Sequence, residues 1–254
     1  MAAPIQLADW PYPRWIAHRG AGKLAPENTL AAFRLGAAFG YRAFECDVKL
    51  SADGIAFLLH DATLDRTTNG QGVAGERAWS DLSQLDAGSW HGRRDAGEPL
   101  ATLEAVARYC IANGFDLNIE IKPTPGHAEA TGRAVALAAR QLWQLSGRKP
   151  LLSSFVPEAL ESAQSAVAEL PRALLIDKLE SDWLGNAQRL DCRAVVAHHP
   201  LIDASMIDAL HSAGRRVLAY TVNETQAAQR LISLGIDGLI TDAVDRFSPA
   251  SDGV

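Results

Sequence analysis

The sequence predicts an α/β fold: a parallel (β/α)8 barrel of the TIM type, with a small insertion after the hairpin that follows the second strand. Three observations lead there. Short apolar runs alternate with helix-like segments, the pattern of a parallel sheet with helices outside it. The 254 residues match the roughly 250 that one such barrel needs. Hydrophobic residues at 48% and charged residues at 21% are ordinary for a globular chain and exclude disorder, collagen and coiled coil. The expected organisation is one catalytic barrel over 1–254, with an insertion at 62–99.

The elements follow in order. The apolar run 15–18 is the first strand and ends in polar His18. Pro26-Glu27-Asn28-Thr29 opens a helix over about 29–39, with Asn28 or Thr29 as its cap. Runs 43–49 and 55–60 are separated only by Leu50–Gly54, too short for a parallel crossover. They form a hairpin with Asp53-Gly54 at the turn, and one of them is extra to the barrel. A turn centred near 52–53 sets Glu45 roughly opposite His60.

Residues 62–99 break the rhythm, being rich in Gly, Asp, Thr and Arg. A stretch this long without periodicity is no ordinary loop, so it reads as a subdomain over one rim, with Trp79 and Trp90 as its core. Strands at 117–121, 151–155, 172–176, 194–198, 217–222 and 238–241 complete the sheet. Helices at about 102–112, 128–145, 157–169, 203–213 and 224–234 lie between most of them. Gly114, Gly214 and Gly235 stand where helix ends need a left-handed residue.

Polar residues at the C-terminal ends of barrel strands point at the site. His18-Arg19-Gly20 ends the first: Arg offers phosphate a planar fork, and His moves protons near neutral pH. Glu27 is placed to hold Arg19. Glu45 and Asp47 share one face of their strand, with Cys46 on the other. Two carboxylates on an otherwise apolar face are costly to bury unless a cation compensates them. Oxygen-only ligands suit Mg²⁺ or Ca²⁺ better than zinc. Glu120 would complete a set of three, and Lys122 shares its face. His60-Asp61 closes the hairpin and brings a second histidine near the first; such a pair can act as general base and general acid. Phe155 and Tyr220, at the ends of later strands, are candidates for an apolar wall. His198 and His199 are adjacent and point to opposite faces, so they make a poor metal pair.

Several classes are excluded. A net charge of −6 argues against a general nucleic-acid binder. No apolar stretch reaches the ~18 residues of a membrane span. Cys46, Cys110 and Cys192 form neither a disulfide framework nor a zinc motif and fit a reducing compartment. The first residues lack a basic start and apolar run, so no secretory signal is expected.

Taken together the motifs resemble the glycerophosphodiester phosphodiesterase family. The matching elements are His18-Arg19-Gly20, Pro26-Glu27-Asn28-Thr29, Glu45-x-Asp47, His60-Asp61, Glu120-x-Lys122, Ser154-Phe155, Thr221-Val222-Asn223 and Asp237–Asp242. Each is short, but their shared order spans nearly the whole chain. The resemblance implies one divalent cation, Mg²⁺ or Ca²⁺, on Glu45, Asp47 and Glu120, with His18 and His60 catalytic. It implies that Arg19 and Lys122 bind phosphate oxygens of a small glycerophosphodiester. It also implies a cytoplasmic enzyme without nucleic-acid partners or stable membrane association. The rival readings keep the barrel: a lysophospholipase D or phosphoinositide-type enzyme, or a barrel that binds phosphodiesters without cleaving them.

Overall fold

The computed structural model describes residues 10–250. Its nine strands are β1 (Trp15–Ala17), β2 (Ala43–Leu50), β3 (Ala56–Leu58), β4 (Asp116–Ile121), β5 (Leu151–Ser154), β6 (Arg172–Ile176), β7 (Ala194–His198), β8 (Arg216–Tyr220) and β9 (Gly238–Thr241). Neighbours from β4 to β9 pair in parallel, and β1 joins both β9 and β2. That closes a barrel of eight, leaving β3 as the extra antiparallel partner of β2.

The two-residue period of β2 explains both layers. Phe44, Cys46 and Val48 face outward into the core under the helices. On the opposite face, Ala43 belongs to an apolar plug inside the barrel with Ile16, Leu151, Ala173, Leu175, Ala194, Val196, Leu218 and Ile240. Glu45 and Asp47 continue that inner face above the plug, beside Asn118 and Glu120 of β4. The barrel interior is thus apolar below and ionic above.

The helices are α1 (Leu30–Ala38), α2 (Trp79–Leu82), α3 (Leu103–Asn113), α4 (Ala128–Trp143), α5 (Pro157–Ala166), α6 (Trp183–Arg189), α7 (Ala204–Ser212) and α8 (Thr225–Ser233). Thr29 caps α1, its Oγ1 accepting from Ala32 N at 3.3 Å. Gly114, Gly214 and Gly235 all have positive φ just past helix ends, as expected. Short α6 escapes periodicity because seven residues hold barely two turns. Among the described residues, no helix is long and apolar enough to cross a membrane.

Two expectations need correction. The hairpin register pairs Val48 with Leu58 and Leu50 with Ala56. Extending it puts Cys46, not Glu45, opposite His60. The turn holds one more residue, closed by Gly54 N donating to Ser51 O and by Gly54 at φ +83°. The core over the rim is also not a tryptophan pair. Phe57, Leu59, Leu64, Ala74, Leu82, Ala87 and Leu100 form it, with Trp79 against its edge. Trp90 is 40% exposed, its indole N–H donating to Ala87 O. The leucines bury well without a polar atom, whereas each indole needs a partner for its N–H.

Candidate active site

His18 follows β1 directly, and its Nδ1 lies 2.6 Å from Asp242 Oδ1. Asp242 follows β9, the strand that pairs with β1, so barrel closure brings the two together. Asn223 braces Asp242, donating from Nδ2 to Oδ2 at 3.1 Å and accepting from its backbone N–H at 2.9 Å. Burial alone would lower the His18 pKa, but Asp242 and Glu45 outweigh it and raise it. His18 Nε2 sits 3.7 Å from Glu45 Oε2.

The turn after His18 is strained. Arg19 has φ +50°, uncommon for a side-chain-bearing residue, and its backbone N–H donates to Glu45 Oε2 at 3.0 Å. Gly22, at φ +57°, packs so tightly that an added Cβ would stand 2.2 Å from Asp242 Cα. The Arg19 side chain runs to Glu27 (Nη1–Oε1, 2.8 Å) and toward Asp47 (Nε–Oδ2, 3.4 Å). The expected hold of Glu27 on Arg19 is therefore present.

Glu45, Asp47 and Glu120 each offer a carboxylate oxygen within 4.8 Å of the others, and all three are buried. Burial and then the Asp47 charge push Glu45 up to about 8 and Glu120 up to about 7. Asp47 differs: Arg19 and Lys122 outweigh its burial and hold it below the usual carboxylate range. Asn28, at φ +62°, turns its amide inward, donating to Asp47 Oδ2 at 2.8 Å and accepting from Asp47 N at 3.1 Å. Glu45 Oε1 and Asp47 Oδ1 are buried with no hydrogen-bond partner among the described residues. Unpaired buried oxygens in a cluster of carboxylates are the donor set a hard divalent cation requires. The residues present fit such an ion.

Lys122 Nζ reaches Glu120 at 2.9 Å and Asp47 at 3.7 Å, and lies 5.9 Å from the centre of the Phe155 ring. Phe155 and Tyr220 meet edge to face at 5.7 Å and form one wall of the pocket. His60 completes the rim from the loop after β3, its Nδ1 2.7 Å from Asp61 Oδ1. Burial is the chief reason that its pKa falls below the ordinary histidine value.

All ten residues singled out from the sequence gather at this end of the barrel, nine of them around a cavity of about 150 Å³ or its carboxylate floor. Glu27 borders it through Arg19. A larger cavity of about 630 Å³ lies at the opposite end, between Trp10, Tyr12, Arg172 and Arg216, and contains none of them. Chemistry rather than size marks the site. His91 binds Asp95 and Lys23 O, and His211 binds Asp237, so both serve structure. His198 is exposed and lies beside the Tyr220 ring at 5.9 Å.

Four residues given no site role by sequence reasoning belong here: Asp242, Asn28, Asn118 and Arg66. Asp242 was legible in principle, because it closes a rim strand adjacent to the first. Asn28 sits beside the helix cap, which masks its inward turn. Asn118 lines the cavity and accepts from Ser153 Oγ at 2.9 Å. Arg66 lies between β3 and α3, where no periodicity announces it.

The family model for the glycerophosphoryl diester phosphodiesterase family matches residues 18–246. The Bacillus subtilis protein YhdW is 34% identical over 240 residues, covering 91% of this chain and 94% of its own. The glycerophosphodiester phosphodiesterase of Caldanaerobacter subterraneus subsp. tengcongensis is 32% identical over 232 residues, covering 89% and 93%. The solved structure of an Oleispira antarctica phosphodiesterase, in complex with the product sn-glycerol 3-phosphate, superimposes with a TM-score of 0.86 at 34% identity, covering 92% of this chain and 95% of that one. With matches of this extent and the barrel they share, the chain belongs to the glycerophosphoryl diester phosphodiesterase family, a family of enzymes that cleave phosphodiesters.

Proposed function

We propose that the enzyme hydrolyses small soluble glycerophosphodiesters, such as glycerophosphocholine and glycerophosphoethanolamine, to sn-glycerol 3-phosphate and an alcohol. In this reading the chain is one catalytic barrel with 62–99 as its insertion. One observation carries it: two histidines, each backed by a carboxylate at Nδ1, flank three buried carboxylates, two of which keep an oxygen unpartnered among the described residues. Glu45, Asp47 and Glu120 would hold one divalent cation, Mg²⁺ or Ca²⁺. When bound, that cation would neutralise charge developing on the phosphate. Arg19 and Lys122 would each bind a phosphate oxygen and add to that stabilisation. With Nδ1 of each ring occupied, Nε2 is the nitrogen left to exchange a proton. One histidine would take the proton of the nucleophile, either water or the glycerol 2-hydroxyl, the latter giving a cyclic phosphate that water then opens. The other would protonate the leaving alcohol. Phe155 and Tyr220 would line the glycerol side of the pocket.

A second reading has one observation in its favour. A groove of about 440 Å³, lined by Leu174, Ile176 and Trp183, meets the pocket at Phe155 and Leu175. It would suit the acyl arm of a lysolipid, as in a lysophospholipase D. The cytoplasm is the compartment we assign, with no nucleic-acid partner and no stable membrane association; three buried free cysteines and a charge of −6 support this.

The decisive assay measures sn-glycerol 3-phosphate release from glycerophosphocholine and glycerophosphoethanolamine, and lysophosphatidate release from a lysolipid, with EDTA or with added Mg²⁺ or Ca²⁺. Cation-dependent release from the first two is expected. Full activity in EDTA would sink the metal assignment, and release from the lysolipid alone would favour the second reading. His18→Ala and His60→Ala should each lower kcat by roughly 10²–10⁴-fold. Near-normal turnover in either removes that histidine from the scheme.

A further inference from the structure

Arg66 extends from the insertion and has no part in the chemistry above. Its side chain is 44% exposed, yet every guanidinium nitrogen is engaged. Nε and Nη2 donate to the two oxygens of Asp61 at 2.6 and 3.0 Å. Nη1 and Nη2 donate to the two oxygens of Glu27 at 2.9 and 2.8 Å. An exposed ion pair is ordinarily worth little. Here one rigid planar fork spans two carboxylates, which a lysine ammonium cannot do.

Both carboxylates have a second partner inside the pocket. Glu27 Oε1 accepts from Arg19 Nη1 at 2.8 Å, and Asp61 Oδ1 meets His60 Nδ1 at 2.7 Å. A continuous alternation of charge therefore runs Arg19–Glu27–Arg66–Asp61–His60. Arg66 is its midpoint. Its hydrogen bonds are the first cause that holds Asp61 far below the usual carboxylate range. The other charged groups that bear on His60 are Asp47, Arg19 and Lys122.

We infer that Arg66 is a positioning residue that locks the phosphate-binding arm of Arg19 and the imidazole of His60 to one another through Glu27 and Asp61. The inference rests on the roles proposed above for Arg19 and His60. It gives the insertion a part in the reaction: its root supplies the clamp shared by both halves of the site. Without the clamp, Glu27 is free to draw Arg19 outward. Asp61 then gives its whole charge to His60, which makes that ring more basic.

The test compares the full-length enzyme with Arg66→Ala and Arg66→Lys. Steady-state kinetics on glycerophosphocholine are combined with NMR titration of the His60 ring. Arg66→Ala should lose roughly 10–100-fold in kcat/KM, because small misplacements of positioned groups cost that much. KM should rise and kcat should fall together, since Arg19 acts in binding and His60 in proton transfer. The His60 midpoint should move upward, a shift that loss of a mere loop tether does not produce. Arg66→Lys should recover little, and it stands as the test if the alanine variant fails to fold. A folded variant with unchanged kcat, KM and His60 midpoint overturns the inference, as does full activity in Arg66→Lys. If the wild type cleaves no glycerophosphodiester, the proposed function fails, while the His60 titration still decides the role of Arg66.

Discussion

Asp47 and Glu45 sit two residues apart on one strand, yet their situations are opposite. Each keeps one buried oxygen without a hydrogen-bond partner among the described residues. But Asp47 has Asn28 and the charges of Arg19 and Lys122 beside it, whereas Glu45 has the Arg19 backbone N–H and the neighbouring Asp47 charge. The metal-free pocket therefore carries a cost that depends on pH. Glu45 titrates near 8 when folded against an ordinary value of 4.5, so between these limits the folded chain binds more protons than the unfolded one. Stability must then fall as pH rises through that window. A bound cation removes the need for the proton. Calorimetry in EDTA should show Tm falling from about pH 5 to about pH 8, and Mg²⁺ or Ca²⁺ should flatten the fall, widening the gap between the curves. Parallel curves would mean that the three carboxylates do not bind the ion. The shared face of the two carboxylates was legible from sequence, because a period of two puts both acids on one side. Their unequal charge was not, because Asn28 reads locally as part of a helix cap.

At the scale of elements, the loop from β1 to α1 carries most of the geometry. Arg19 and Asn28 adopt left-handed backbones, and Gly22 fits where nothing larger can. Gly22→Ala adds strain at φ +57° and drives a methyl into the Asp242 backbone. We expect a loss of about 1–3 kcal/mol in chemical denaturation, with kcat reduced further because Asp242 orients His18. An unaffected kcat would show that this packing does not set the His18–Asp242 geometry. The strands and long helices were legible because their apolar periods are strong. The hairpin register missed by one residue, since Gly54 lets the turn hold a residue more than the two-residue turn its sequence resembles. His60 consequently reaches the pocket from a loop and not from the ladder, and depends on Asp61 for its orientation.

Across the whole molecule, the barrel divides its labour along its axis. The groups we propose as catalytic crowd the upper rim, while the lower rim holds structural charge. Arg172, at the start of β6, is buried and donates to the carbonyls of Ala168, Leu170 and Leu190. A leucine there leaves buried carbonyls unpaired. Arg172→Leu should cost at least ~3 kcal/mol of stability in urea titration, while activity per folded molecule stays near wild type. A selective loss of turnover would contradict the division between the ends. The division itself was partly legible: alternating strands and helices predict which strand ends converge, so distant motifs could be assigned to one rim. A buried arginine at the far end carries no such signal, because its nearer partners are main-chain atoms that sequence does not identify, with the Asp191 carboxylate at 3.5 Å.

The ninth strand has a consequence for how such a barrel can diversify. β3 pairs with β2 on one edge and bridges Ala101 and Thr102 on the other, and takes no part in closing the ring. Everything beyond it is therefore an appendage, whose length is free to change without reopening the barrel. The freedom is not uniform. His60, Asp61 and Arg66 lie at its root, and Glu98, at its return, accepts from Ala31 N at the start of α1. Within the appendage, Arg77 O accepts from Ala52 N, Trp79 N donates to Asp53 and His91 meets Lys23 O, so a graft from another enzyme must reproduce these contacts as well as the stems.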